Sequence, residues 1–183
     1  MRVFGVGTGR CGTCTLYQAC THIENYTSGH ETQAGIVSPH EYSDNHIEIS
    51  SQLVLEIPTL KEKYPDAVFV HVIRDKDSCV ESLLRNCWDA MEAYASQWHQ
   101  TNHPYDTVIA ASKFYDQVNA MCMFFSEIRI ELESPLNGWQ QLWSRLGAEG
   151  NYAESVIVWD KRYNAREHRG RDNCGEDSDA LLD

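Results

Sequence analysis

The sequence predicts an α/β domain whose mostly parallel central sheet is flanked by helices. Three observations carry that prediction. Short apolar runs alternate along the chain with stretches of helical period. The clearest run, Ala67-Val-Phe-Val-His-Val-Ile73, is almost continuously apolar, as a parallel strand covered on both faces must be. The first run, Arg2-Val-Phe-Gly-Val6, passes through a glycine-rich turn directly into a helical pattern.

The elements follow in order. Arg2–Val6 reads as a short buried strand, and MRVFGVG is too short and too quickly broken by glycine to be a leader peptide. After the turn at 7–12, Leu16, Ala19, Cys20 and Ile23 recur at helical spacing, so a helix is expected over 13–23. Residues 24–44 are polar and show no period, which predicts a long loop of the kind that carries function. A short strand end is expected at 45–49. Ser50 or Ser51 then caps a helix reaching Tyr64, with Pro58 bending or limiting it. Beyond the central strand, Asp77 is the expected cap of a helix whose apolar face runs from Val80 and Leu83 to Trp88 and Trp98. A further helix is expected over 107–126. Ile128, Ile130 and Leu132 alternate with Arg129, Glu131 and Glu133, predicting a strand with one wetter face. Trp139, Leu142, Trp143 and Leu146 mark a helix that ends at Gly147, and a last helix covers roughly 152–164.

The 183 residues suffice for one domain with a core, assigned to 1–165, and the polar, acidic stretch 166–183 reads as a flexible tail. No apolar run approaches the roughly 20 residues that span a bilayer. Fifteen basic against 27 acidic residues give a formal charge of −12, which argues against a nucleic-acid partner. The seven cysteines are odd in number and irregular in spacing, and several sit in apolar helical patterns. That usage fits reduced thiols in the cytoplasm better than a disulfide framework.

The stretch Gly5-Val-Gly-Thr-Gly-Arg-Cys-Gly-Thr-Cys14 admits two chemistries. A glycine turn between a strand and a helix lets backbone N–H groups and the helix dipole converge on a phosphate. The Cys11-Gly12-Thr13-Cys14 spacing also suits a redox pair or half a zinc site. The redox motif normally follows an earlier strand and helix, and no second cysteine pair completes a metal site, so phosphate is the favoured reading. Gly7 and Gly12 have the GxxxxG offset of a P-loop, yet Thr13 and Cys14 stand where a nucleoside triphosphatase has Lys and Ser or Thr. The lysine for a γ-phosphate and the hydroxyl for magnesium are both absent, which argues against a kinase or ATPase. Cys79 and Arg85 have the C-x5-R spacing of a tyrosine phosphatase, but the residues between them lack glycine and continue a helical stripe.

The segment Arg10-Cys-Gly-Thr-Cys-Thr-Leu16 resembles the phosphate loop of sulfotransferases that use 3′-phosphoadenosine 5′-phosphosulfate (PAPS). The central strand, ending in Arg74-Asp75 with Ser82 eight residues after the Arg, is similar to the second half of that family's signature. The late strand and the helix ending in Leu146-Gly147 also look like the family's, and the short form resembles its bacterial and phage-type members. The resemblance covers about 2–164. Cys11 and Cys14 replace hydroxyls, Lys76 stands where proline is common, and His168-Arg169-Gly170 is a weak substitute for the family's Arg-Lys-Gly segment.

The resemblance implies a P-loop-type three-layer domain and a sulfuryl transfer from PAPS, without a metal, to an acceptor hydroxyl or amine. It implies that Gly9, Arg10, Cys11, Gly12, Thr13, Cys14 and Thr15 hold the 5′-phosphate, with Arg10 beside the bridging oxygen. It also implies that Arg74 and Ser82 hold the 3′-phosphate. Golgi-type relatives use a Glu as base and cytosolic ones a His, each before the Arg-Asp strand. Glu48 is the expected base here and His46 the second choice, both on one face of an extended stretch. His30-Glu31 is expected to contact the acceptor or brace its loop. The acceptor stays open among carbohydrate, lipid, peptide and small metabolite, and the short chain leaves room for a second copy to complete its pocket. The alternatives are a CxxC thiol redox protein and a nucleotide-binding module without catalysis.

Overall fold

The structure, a computed structural model, describes residues 1–33, 41–86 and 107–161. The Trp88 to Trp98 stripe and the 166–183 tail lie outside the described residues. Five strands form one parallel sheet: β1 (Arg2–Val6), β2 (Thr27–His30), β3 (His46–Ile49), β4 (Val68–Ile73) and β5 (Ile128–Glu131). Their order across the sheet is β2-β3-β1-β4-β5. Among the described residues six α-helices accompany it: α1 (Thr13–Cys20), α2 (Ile57–Lys63), α3 (Lys76–Asn86), α4 (Thr107–Phe125), α5 (Leu136–Leu146) and α6 (Tyr152–Val158). The expected α/β architecture is what the chain adopts.

Strand alternation builds two cores. Val3, Ile47, Val68 and Val70 face one side, where they meet Leu16 and Ala19 of α1 and Trp139 and Leu142 of α5. Phe4, Val6 and Phe69 face the other, against Leu53, Ile57 and Leu60. The Phe4 ring stands 5.1 Å from Tyr42, edge-on, and 5.2 Å from Phe69. β5 closes one edge, and its alternation is the expected one, with Ile128 and Ile130 inward and Arg129 and Glu131 exposed.

Several boundaries differ from the expectation, each for a local reason. β2 lies inside the stretch read as loop; it is an edge strand with only Gly29 buried, so it carries no apolar alternation. α1 stops at Cys20 because tighter bonds, His22 N to Ala19 O and Ile23 N to Cys20 O, close its last turn. Ile23 then bridges to Gly150. The segment after Ser50 begins as a 3₁₀ turn over Ser51–Glu56, capped by the Ser50 hydroxyl, which accepts from Gln52 N at 3.2 Å. Pro58 sits in the first turn of α2, where its missing N–H costs nothing. α3 is capped by Asp75 rather than Asp77: the Asp75 carboxylate accepts from Ser78 N at 2.9 Å. That bond holds the Asp75 carboxyl below its usual pKa range. α6 ends at Val158, short of the expected 164, as turn bonds from Asp160 N and Lys161 N take over.

Candidate functional site

β1 and β4 lie side by side in the sheet. From β1 the chain leaves toward β2 on one flank, and from β4 it leaves toward β5 on the other. Neighbouring parallel strands whose connections diverge open a crevice at their carboxyl ends, the common ligand position in open α/β sheets. The Gly7–Gly12 turn follows β1 into this crevice, and Arg74 follows β4 into it.

The turn is shaped by close approach and by backbone. A Cβ on Gly7 would stand 2.5 Å from the Val72 carbonyl oxygen, so only glycine lets the chain run this close beside the end of β4. Gly9, Arg10 and Gly12 take φ values of 71°, 55° and 108°. Gly12 is the N-cap of α1, and no side chain caps that helix start. The first amides of a helix have no partner within it and carry the positive end of its dipole.

Three predicted residues from three elements meet at this turn. The Arg74 Nη1 donates to the Arg10 carbonyl at 3.3 Å. The Arg10 Nε donates to the Ser82 hydroxyl of α3 at 3.2 Å. Asn86, one turn further along α3, donates to the Ser82 carbonyl at 2.7 Å. Thr8 and Cys79 pack beneath the turn, Oγ1 to Sγ at 3.3 Å, which leaves Cys79 and Arg85 on one continuous helix.

The two turn cysteines differ. Cys11 is fully buried, and burial pushes its thiol up to about 12. Cys14 lies in the first turn of α1 with its Sγ 3.5 Å from His30 Nε2. All five described cysteines are free thiols. Thr13 and Thr15 are buried at the start of α1.

Glu48 and His46 do share one face, as expected, with His46 Nε2 3.1 Å from Glu48 Oε2. The carboxylate is sealed: it is 0% exposed and accepts from Thr32 N at 2.8 Å and from the Thr32 hydroxyl at 2.6 Å. Its strand position pairs with Phe4, three residues before the turn begins, or about 10 Å along the strand. His46 is tied on its other nitrogen to the Thr27 hydroxyl at 2.8 Å.

A second carboxylate lies nearer the turn. Glu31 follows β2, where its N–H donates to the Ile49 carbonyl at 3.0 Å. Its Oε1 accepts from the Ser51 hydroxyl at 3.2 Å, and Ser51 packs against Gly9 of the turn. Glu31 takes a φ of 54°, a left-handed conformation that non-glycine residues avoid and that recurs at functional sites. His30 beside it is held below its ordinary pKa by burial, against the opposing charges of Glu31 and Glu48. Sequence reasoning named this pair but ranked it below Glu48, because the signal that raises it is β2, which carries no apolar pattern.

Among the described residues no group of three or more His, Cys, Asp or Glu side chains is arranged to hold a metal ion. Nor is any described helix long and apolar enough to cross a membrane. The chain matches no protein-family model and no curated protein.

Proposed function

We propose that the chain is a P-loop-type sulfotransferase that binds PAPS at the Gly7–Gly12 turn and delivers its sulfuryl group to an acceptor hydroxyl or amine. One observation carries this reading: Arg74 from the end of β4 and Ser82 from α3 both meet Arg10 of the turn. A donor phosphorylated on both its 3′ and 5′ positions needs two neighbouring anion sites. The turn amides with the start of α1 supply one, and Arg74 with Ser82 supplies the other.

PAPS, when bound, supplies a sulfuryl group on a phosphate leaving group. The protein's part is to hold, orient and neutralise. The turn amides hold the 5′-phosphate, and Arg10 offsets the charge that builds on the leaving oxygen. Arg74 holds the 3′-phosphate by a charge-assisted bond, among the stronger kinds. Binding exchanges partners: the Arg10 to Ser82 bond opens, freeing the hydroxyl for the 3′-phosphate and the guanidinium for the leaving group. We assign proton acceptance from the acceptor to Glu31 rather than to Glu48 or His46. Glu31 reaches the turn through Ser51, whereas the Glu48 oxygens are already taken up by Thr32 and His46.

The buried, high-pKa thiol of Cys11 counts against thiolate redox chemistry at the Cys11/Cys14 pair, since that chemistry needs a depressed pKa and exposure. Free thiols throughout the described residues support a reducing compartment such as the cytoplasm. Calorimetric titration with 3′-phosphoadenosine 5′-phosphate tests the reading. Arg74→Ala is expected to weaken binding by about tenfold to a hundredfold and to abolish turnover of PAPS. Equal affinity in the two proteins overturns the assignment.

A further inference from the structure

Hydrogen bonds tie α4 both to the buried sheet and to Arg74. Asn119 of α4 donates through Nδ2 to the Tyr115 carbonyl at 2.7 Å, so its Oδ1 is left as an acceptor. That oxygen lies 2.7 Å from His71 Nε2, which makes His71 the donor and fixes its proton on Nε2. One turn along α4, the Tyr115 hydroxyl donates to the Arg74 carbonyl at 2.6 Å. The ring of Tyr115 is 8% exposed and is flanked by Lys76, whose ammonium stands 5.9 Å from its centroid and is paired with Asp116. Arg74 is therefore gripped at both ends, its backbone by α4 and its guanidinium by the turn.

We propose that Tyr115 is a positioning residue: its hydroxyl, carried on a helix that Asn119 and His71 tie to the sheet, fixes the backbone of Arg74 so that the guanidinium stands over the turn. The inference rests on the reading of Arg74 as a phosphate ligand. The carbonyl it holds lies between β4 and α3, where the chain changes from ladder to helix. Without the hydroxyl that junction loses a fixed point, and the arginine spends less time in the binding geometry.

Two ligands separate positioning from general damage. 3′-Phosphoadenosine 5′-phosphate engages both anion sites, whereas adenosine 5′-phosphate engages only the turn. Tyr115→Phe is expected to weaken the first by about tenfold and to leave the second unchanged. In an Arg74→Ala background the same change is expected to have no further effect on the first ligand, because the group it positions is gone. Asn119→Leu, which keeps the hydroxyl but cuts the tie between α4 and His71, is expected to give the same selective loss to a smaller degree. Wild-type affinity for 3′-phosphoadenosine 5′-phosphate in Tyr115→Phe overturns the proposal, and so does an equal loss for both ligands. An Arg74→Ala protein that binds both ligands as the wild type does is a separate result: it removes the parent reading.

Discussion

Two polar clusters stand on adjacent parts of the sheet, and they are built differently. Around Glu48 the bonds are short, 2.6 and 2.8 Å to Thr32, and the carboxylate is closed to water. Two bonds at the turn are long, 3.2 Å from Arg10 to Ser82 and 3.3 Å from Arg74 to the Arg10 carbonyl, and both arginines are half-buried. A buried carboxylate with both oxygens engaged is a finished piece of structure, costly to disturb. Long bonds of this kind give way to a better anion at little cost. The difference in packing and bond length separates brace from site.

Exchanging the two carboxylates for amides is the strongest way to break that comparison. Glu31→Gln removes the proposed proton acceptor beside the turn and is expected to lower kcat by on the order of 10²- to 10⁴-fold, with 3′-phosphoadenosine 5′-phosphate affinity unchanged. Steady-state turnover of PAPS, once an acceptor is in hand, reads it. Glu48→Gln places an NH₂ against the Thr32 donors and leaves one of them unmet. It is expected to cost about 2 kcal/mol of folding stability in urea titrations while nucleotide affinity holds. If Glu48→Gln instead stays stable and loses turnover, the roles are reversed and the sealed network is the catalytic one.

The split between these carboxylates marks how far the sequence could be read. β1 and β4 were legible because a strand buried on both faces writes itself as an apolar run. The turn, Arg74 and Ser82 were legible because strand, turn and helix follow one another locally. That Glu48 and His46 share a face was legible too, from the period of two. What seals Glu48 was not, since Thr32 arrives from another segment, after a strand of Thr27-Ser-Gly-His30 that has almost nothing to bury. The crevice depends on strand order, and strand order is a long-range fact with no local pattern. The cap of α3 shows the same limit at short range. Asp75 and Asp77 are both fit to cap, and in the fold it is the Asp75 carboxylate that meets Ser78 N.

A smaller effect sharpens the view of the core behind Arg74. His71 is 2% exposed, and its Nδ1 has no hydrogen-bond partner. Burial, with Arg129 adding to it, holds its pKa below the ordinary 6.5, so the folded state keeps it neutral. Its contribution is complete above pH 6.5 and is lost as the pH falls below that value, where the unfolded chain takes a proton that the native state refuses. The loss is at most about 1.4 kcal/mol per pH unit. His30 has the same sign, so the wild-type curve contains both. His71→Gln keeps a donor for Asn119 and removes one titration, and urea midpoints at pH 7.5 and 5.5 are expected to lie closer together in that variant. An unchanged spacing would assign the whole slope to His30 and other groups.

The smallest effect belongs to the residues that look most reactive in the sequence. Cys11 is packed against the turn from inside, its Sγ 2.6 Å from where a Cβ on Gly7 would lie, and Cys79 of α3 is equally buried. In that position a thiol acts as a small apolar group. Cys11→Ala is therefore expected to cost about 1 kcal/mol through the space it leaves, and Cys14→Ser rather less, because Ser keeps a polar contact within reach of His30. Neither change removes an amide from the turn or a cation from the crevice. Affinity for 3′-phosphoadenosine 5′-phosphate in the double variant is expected to stay within about twofold of wild type, since a side-chain change that leaves the turn's backbone in place forfeits no bond to phosphate. A collapse of binding in a double variant that still melts cooperatively would mean that the thiols, not the backbone, shape this turn.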